Sequence, residues 1–374
     1  MVRKMKKFSD VITVVSFFII LVMFAVSTLF FQHSQSFSGT YERTGNIKKA
    51  VTKYVKGNFP LSSNWHKMYA SILVGSGRDQ FGDVYLAKDR LLKISEEADE
   101  ADINENITCI NVMASQTDVP VYVMLAPTAA GVYAASLPQY VQKYNQKELI
   151  DRIYLDLDKD VGTIDAFYPL YSARNEYIYY RTENLWTSFG AYYAYAEAIR
   201  QLGAEPQTME NYDQEFVLSS FTGSLYEKAM YGGISPDRIN LFRSKYQSSV
   251  SKVVLESDGC RISGKSVYFR SALNSSKKTD VFLLGDQYDK ITVTSESDSG
   301  QKLLIIKGSY ANTIVPFLTP HYSQITLVDP QSLARKGETL SDVVDTEDYD
   351  QILVMFDIDS FSNADYLSIL SDKG

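Results

Sequence analysis

The chain has 374 residues, of which 45% are apolar and 22% charged, so it can form a large core and is neither collagen-like nor disordered. Its 37 Lys and Arg against 45 Asp and Glu give a net charge of -8, which argues against a nucleic-acid partner, because phosphate backbones bind to basic surfaces. Two cysteines, Cys109 and Cys260, allow at most one internal disulfide, so the core must stabilise the fold.

The first predicted element is a single transmembrane helix over residues 11–31, a run without any charged side chain. At about 1.5 Å per residue such a helix spans about the 30 Å of a bilayer core. Basic residues predominate in residues 1–10, and no clear cleavage motif follows the apolar run. We therefore expect an uncleaved signal anchor in the cell membrane, with residues 1–10 cytoplasmic and everything after Phe31 extracytoplasmic.

After the anchor, residues 32–75 are polar and mixed, and we interpret them as a stalk that leads into an extracytoplasmic domain over residues 76–374. At the start of this domain, Val84–Leu86 and Leu91–Ile94 flank a charged turn. The pattern predicts a β-hairpin, and a helix remains the alternative for its second arm.

Helical patterns then alternate with short apolar runs that are bounded by Gly, Pro or Asp. Such runs are typical of strands buried on both faces of a parallel sheet. We therefore predict a three-layer α/β domain with a parallel sheet, whose functional groups follow the carboxyl ends of the strands. The runs are Val119–Leu125, Val281–Leu284, Leu303–Ile306, Ile325–Val328 and Ile352–Phe356.

Neither a metal site nor a cofactor site is predicted. The three histidines, His33, His66 and His321, are far apart and lack the spacing of metal ligands. The chain also lacks the glycine-rich loops that bind nucleotide phosphates.

The segment after Ile306 is the first candidate for chemistry. An apolar strand ends, Gly308 permits a tight turn, and Ser309 stands where a helix is predicted to begin. A serine in this position suits a nucleophile, because backbone N–H groups at a helix start stabilise an oxyanion. The alternative is that Ser309 only caps the helix.

A second segment, Tyr179–Tyr195, contains the run Thr-Glu-Asn-Leu-Trp-Thr. This run resembles the signature of the DHHW family, relatives of the alginate O-acetyltransferases with an SGNH-hydrolase-like domain. The stretches Val84–Ile94, Tyr122–Thr128 and Ser309–Tyr322 resemble the same family, so the resemblance covers most of the exported domain.

The resemblance implies a catalytic triad in which Ser309 is the nucleophile, Glu183 takes the place of the family Asp, and Leu185 takes the place of the family His. Leu185 has no titratable atom, and a serine without an adjacent base is a weak nucleophile. Neither His66 nor His321 is expected to replace the missing base. The resemblance therefore implies a catalytic constellation that has lost its base.

Tyrosines crowd around Trp186. Aromatic rings stack on saccharides and phenol groups bind their hydroxyls, but such clusters also occur as core packing. The candidate binding residues are Tyr180, Arg181, Trp186 and Gln287.

Three functions follow as hypotheses. The first is a membrane-anchored partner in cell-surface polysaccharide O-acetylation, with impaired catalysis, that binds glycan or a membrane-bound O-acyltransferase. The second is an active O-acetyltransferase or esterase in which a displaced base, with Glu183 as the candidate, activates Ser309. The third is a structural surface protein without acyl-transfer chemistry.

Overall fold

The chain forms two compact units, one of residues 1–78 with 230–233 and one of residues 79–229 with 234–374, and each is described by itself. A computed structural model describes residues 2–30, 46–58, 61–94, 97–141, 144–245 and 250–370.

The described residues of the N-terminal unit form the helices α1 (Val2–Phe30), α2 (Ile47–Asn58) and α3 (Ser62–Gly75). Side chains of α1 are described over residues 11–26 only. Phe31, the last residue of the predicted anchor, lies outside the described residues. In the part of the chain that the structure describes, no helix is both long enough and apolar enough to cross a membrane.

The larger unit opens with a three-stranded antiparallel sheet of β1 (Gln80–Phe81), β2 (Val84–Ala87) and β3 (Arg90–Lys93). The predicted hairpin is thus confirmed, and its second arm is a strand. Lys88 turns the chain at a positive φ of 56°.

An eight-stranded sheet forms the centre of this unit, with five parallel strands followed by an antiparallel extension. The prediction of an α/β fold around a mostly parallel sheet is confirmed. In spatial order the strands are β5 (Val161–Ile164), β4 (Val121–Ala126), β13 (Gln351–Asp357), β11 (Lys302–Lys307), β12 (Gln324–Val328), β10 (Lys290–Ser295), β8 (Val250–Ser257) and β9 (Cys260–Gly264).

Four of the five predicted apolar runs are the neighbouring parallel strands β4, β13, β11 and β12. The fifth prediction, a strand over Val281–Leu284, is wrong. Lys278–Val281 is a 3-10 turn, and Leu283 and Leu284 adopt positive φ values of 53° and 60°, which no strand contains. The run is apolar because its side chains are buried, although its backbone is a turn.

Helices cover both faces of the central sheet. Because side chains alternate along a strand, Leu303 and Ile305 of β11 join one hydrophobic cluster, whereas Leu304 and Ile306 join the other. The remaining elements are the hairpin of β6 (Tyr212–Phe221) and β7 (Asp237–Ser244), and the helices α4 (Glu100–Ser115), α5 (Ala129–Val132), α6 (Gln146–Asp156), α7 (Phe167–Ser172), α8 (Ser188–Gln201), α9 (Ser224–Ala229), α10 (Ala311–Leu318), α11 (Pro330–Lys336) and α12 (Ile358–Ser362).

The two cysteines do not pair: Cys109 is buried on α4 and Cys260 is exposed on β9. On α4, the buried Asn106 joins the helix to the C-terminal segment. Its Nδ2 donates to the carbonyl oxygens of Phe361, at 2.9 Å, and Ala364, at 2.7 Å. A single amide thereby binds one carbonyl of α12 and one carbonyl of the segment that follows it.

Asn106→Ala is expected to lower the free energy of unfolding by about 2 to 3 kcal/mol, because it leaves two carbonyl oxygens without their donor. Urea unfolding followed by circular dichroism measures the effect. Asn104→Ala, at an exposed position of the same helix, is the control and is expected to change stability by less than about 0.5 kcal/mol. Equal effects of the two substitutions would contradict the structural role of Asn106.

Candidate functional site

The carboxyl ends of three parallel strands open into one cleft of about 750 Å³. Ser309 follows β11, Asp329 follows β12, and Asp357 ends β13, and all three line this cleft. Open α/β sheets carry their ligands at this edge, because the strand ends and the helix starts that follow them meet there. The loop with Glu183 and the loop with Asp286 close the sides of the cleft.

Ser309 is exposed on the wall of the cleft and does not cap the following helix. Helix α10 begins at Ala311, with Tyr310 as the N-cap residue, and no side chain caps it. The Ser309 hydroxyl instead donates a hydrogen bond to Oδ2 of Asp286 at 2.5 Å. Its backbone N–H donates to no acceptor within the described residues and is free to bind a ligand oxygen. The helix-cap alternative is therefore wrong, since the hydroxyl points to a carboxylate.

Asp286 is the acceptor for three donors. Besides the Ser309 hydroxyl, Nζ of Lys307 lies 2.6 Å from Oδ1 and Nδ2 of Asn312 lies 2.9 Å from it. Burial favours the neutral acid, but the charge of Lys307 and the three hydrogen bonds outweigh it and lower the pKa of Asp286. The carboxylate is therefore ionised at neutral pH and is a weak base.

An unusual turn directs Asp286 towards Ser309. Leu283, Leu284 and Gly285 have consecutive positive φ values of 53°, 60° and 66°. Each non-glycine residue in this region costs about 1 to 2 kcal/mol, so the backbone here is strained. Gly285 is required, because a Cβ would lie 2.5 Å from Oδ1 of Asp280. The core stabilises the strained turn through Leu283, which is completely buried.

Lys307 is the cation on the floor of the cleft. It is the last residue of β11, its side chain is only 1% exposed, and its Nζ lies 3.8 Å from Asp329 as well as 2.6 Å from Asp286. Burial raises the pKa of Asp329, which the charge of Lys307 only partly offsets. A buried lysine requires such partners. The sequence analysis missed Lys307, although a lysine directly after an apolar strand was a signal for a buried ion pair.

Asp357 and Asp359 form the opposite wall. Burial and the charge of Asp359 raise the pKa of Asp357 to about 6, although the N–H of Ser360 donates to it. Asp359 accepts hydrogen bonds from the hydroxyl of Tyr144 and from Nε2 of Gln146. Burial and the neighbouring Asp359 carboxylate therefore disfavour the ionised form of Asp357.

The segment that resembles the family signature forms one side of the cleft. Glu183 is half-buried and accepts from the backbone N–H groups of Asn184 and Ser224, both at 2.8 Å, and from the Ser224 hydroxyl. Leu185 lines the cleft and packs against two hydrophobic clusters. The predicted triad positions thus converge on one cleft, but the place of the base is aliphatic.

Asp237, which the sequence analysis missed, fixes this loop. It is completely buried and accepts hydrogen bonds from the N–H of Arg181 at 2.7 Å, the N–H of Thr182 at 2.8 Å, and the Tyr177 hydroxyl at 2.7 Å. Asp237 begins β7, more than 50 residues away along the chain, so no local pattern indicated the contact.

Trp186 and Tyr180 are core residues, which corrects their predicted binding role. Trp186 has no exposed surface, and its Nε1 donates to the carbonyl oxygen of Tyr310 at 3.1 Å. Tyr180 is 2% exposed and its ring packs edge-on against Phe221. Neither ring presents a face to a ligand, and Trp186 instead connects the signature loop to the turn of Ser309.

The other two predicted binding residues lie beside the cleft without lining it. Arg181 forms an ion pair with Asp89 at 3.4 Å. Gln287 is exposed and donates to Asp280 at 2.8 Å. Their direct contact with a ligand stays a prediction.

No histidine lines the cleft among the residues that the structure describes. His321 hydrogen-bonds the Tyr195 hydroxyl at 2.7 Å, and burial lowers its pKa to about 4. His66 belongs to the N-terminal unit, and His33 lies outside the described residues. Among the described residues, no three His, Cys, Asp or Glu side chains are arranged so that they could hold a metal ion.

Lys307→Met is expected to lower the free energy of unfolding by about 2 kcal/mol at neutral pH, because Asp286 and Asp329 lose their cation while Asp286 stays partly open to water. The lowered pKa of Asp286 stabilises the native state above about pH 4 and this contribution is lost at lower pH. Urea unfolding from about pH 3 to about pH 7 should therefore show that the two proteins converge in stability as the pH falls. A pH-independent difference would contradict the pairing.

Known proteins resemble this chain in sequence and in fold. The family model "DHHW protein" matches residues 71–328, which is more than half of the chain. A DHHW family protein from Eubacterium siraeum has a TM-score of 0.64 at 22% identity, over 76% of this chain and 93% of that one. Bacillus cereus PatB1, solved with a sulfonyl adduct, has a TM-score of 0.64 at 14% identity, over 76% and 97%.

The O-acetyltransferase domain of Pseudomonas putida AlgJ is less similar. It has a TM-score of 0.47 at 13% identity, over 77% of this chain and 98% of that one. That score is too low to indicate a shared fold. No curated protein matches the chain. The two solved structures with the higher scores share the fold, and the match of the family model shows that this chain belongs to the DHHW family.

Proposed function

We propose that this chain is a membrane-anchored, extracytoplasmic, SGNH-like DHHW protein that takes part in cell-surface polysaccharide O-acetylation by binding, with acyl-transfer chemistry impaired. The proposal depends on the groups that surround the Ser309 hydroxyl. The Ser309 hydroxyl is bound to an ionised carboxylate, and the position that supplies the family base is Leu185.

The impairment follows from proton affinity. A serine hydroxyl attacks an ester only when a base takes its proton, and imidazole does this because its pKa lies near neutral pH. Asp286 has a lowered pKa and is already neutralised by Lys307, so it has little affinity for that proton. In subtilisin, loss of the histidine alone costs about 10⁶ in kcat. The cleft can therefore bind an acylated carbohydrate, but it has no base that makes acyl transfer fast.

The setting rests on the sequence. The uncharged run 11–31, preceded by basic residues, supports a single-pass anchor with the domain outside the cell membrane. The family resemblance supports two partners, a cell-surface polysaccharide and a membrane-bound O-acyltransferase. The net charge of -8 gives no support to a nucleic-acid partner.

Turnover of acetyl esters by the full-length chain is expected to be the same as that of its Ser309→Ala variant. The reason is that no base in the cleft activates the hydroxyl. The measurement is acetate release from an acetylated saccharide and from a chromogenic acetyl ester. Turnover that is fast and disappears in Ser309→Ala would contradict the proposed impairment.

Restoring the family residues tests the same reasoning in the opposite direction. The triple variant Glu183→Asp, Asn184→His, Leu185→His is expected to gain weak esterase activity, because an imidazole then stands in the cleft beside Ser309. The matched control is the same triple variant with Ser309→Ala, which must stay inactive. If the triple variant folds and gains no activity, the assignment of Leu185 to the base position is wrong.

The hydrogen bond between Ser309 and Asp286 favours one second candidate, an active acetyltransferase or esterase with a displaced base. Glu183, the base considered first, is bound to Ser224 and Asn184, whereas Asp286 already accepts the hydroxyl. Such an enzyme would be slow, and its base would be ionised at every pH well above 4.

The pH profile separates this candidate from a histidine-dependent enzyme. If Asp286 is the base, the rate is expected to stay constant between about pH 5 and about pH 8, because its lowered pKa keeps it ionised throughout. Initial rates of ester hydrolysis by the wild type and by Asp286→Asn measure this. A rate that rises with a midpoint of about pH 6 to 7 would exclude Asp286 as the base.

A further inference from the structure

The charges that line the cleft are strongly unequal. Seven carboxylates face three lysines and no arginine, so the cleft carries an excess of four negative charges when all groups are ionised. The carboxylates are Asp83, Glu183, Asp280, Asp286, Asp329, Asp357 and Asp359, and the lysines are Lys93, Lys277 and Lys307.

The protein's own cations do not neutralise this charge. Lys307 is shared by Asp286 and Asp329, and Asp83 is paired with Lys228 at 2.7 Å. Within the described residues, Glu183, Asp280 and Asp357 form no ion pair. These three carboxylates lie in different parts of the chain around the cleft: Glu183 in the signature loop, Asp280 in the 3-10 turn Lys278–Val281, and Asp357 at the end of β13.

Two further observations indicate that the cleft lacks a group that a ligand can supply. Burial raises the pKa of Asp280, and the charges of Asp286 and Glu183 add to this, although the hydrogen bond from Gln287 and the charge of Lys277 partly offset it. The pKa of Asp357 is raised to about 6. The wall residue Tyr310 is 1% exposed, and its hydroxyl has no hydrogen-bond partner. Burial raises the pKa of this phenol, and the charges of Asp357, Asp359 and Glu183 add to the effect.

We propose that the saccharide bound in this cleft carries ammonium groups, as in an amino sugar with a free amine, and that the cleft rejects polymers of uronic acids or phosphate esters. The inference rests on the proposed function, because it names the glycan class of the same site. An ammonium group that approaches Glu183, Asp280 and Asp357 supplies the positive charge that the protein lacks. The excess of carboxylates repels an anionic sugar, and the low-dielectric walls of the cleft strengthen this repulsion.

The test is binding of the full-length chain in detergent to three hexasaccharides of equal length. These are a glucosamine hexamer, the same hexamer with every amine acetylated, and a uronic acid hexamer. Calorimetric titration at low salt is expected to give a Kd about tenfold lower for the glucosamine hexamer than for the acetylated one, the effect of two or three partly exposed charge pairs. The uronic acid hexamer is not expected to bind, and added salt should reduce the preference.

Two arms locate the effect. The double variant Glu183→Gln, Asp280→Asn is expected to lose most of the preference for the free amine, whereas Asp298→Asn, which removes an exposed carboxylate in a loop away from the cleft, should keep it. With the wild type, the three hexamers are compared at one pH of about 6, because the amine of glucosamine loses its proton near neutral pH and has to be charged during the titration. This comparison needs no variant to fold.

The inference is overturned if the acetylated or the uronic acid hexamer binds as tightly as the glucosamine hexamer, if the glucosamine hexamer does not bind, or if Asp298→Asn abolishes the preference as the double variant does. None of these results bears on the impairment of acyl transfer, which the comparison of the wild type with Ser309→Ala decides separately.

Discussion

The contact between Asp286 and the Ser309 hydroxyl determines how the cleft can be interpreted, and it depends on a buried lysine. Without Lys307, a carboxylate at this position would hold a higher pKa and a greater affinity for the serine proton. With Lys307 and Asn312 as further donors, Asp286 is stabilised as an anion and binds the hydroxyl as an acceptor only. The same three groups therefore order the Ser309 hydroxyl, which in the proposed function leaves it weakly activated.

Two distant parts of the chain hold this arrangement. A strained turn at Leu283 and Leu284 presents Asp286, and the apolar core that buries Leu283 offsets the cost of that backbone. On the other side, Trp186 donates to the carbonyl oxygen of Tyr310, next to Ser309. The signature loop and the serine turn are thereby joined through one indole.

The balance of charge in the cleft has a consequence for both chemistry and recognition. Burial, together with the charge of Asp359, raises the pKa of Asp357, and the excess of carboxylates in the cleft disfavours anionic ligands and any anionic intermediate. A tetrahedral oxyanion would be poorly stabilised among these groups. Under the proposed function, the aliphatic Leu185 and the excess of carboxylates both favour a role in binding, and the proposed cationic saccharide would relieve the repulsion.

The amino-acid sequence by itself determined the parallel strands, because short uninterrupted apolar runs such as Leu303–Ile306 have few other stable positions than a sheet buried on both faces. It also indicated Ser309, since parallel strands bring their carboxyl ends to one edge, and it identified the signature loop by resemblance. Only the tertiary structure decided what the Ser309 hydroxyl contacts, that Val281–Leu284 is a turn, and that Trp186 and Tyr180 are buried. Those outcomes depend on contacts between residues that are distant in the chain, such as Asp286 with Lys307 or Asp237 with Thr182, and such contacts leave no periodic pattern in a single sequence.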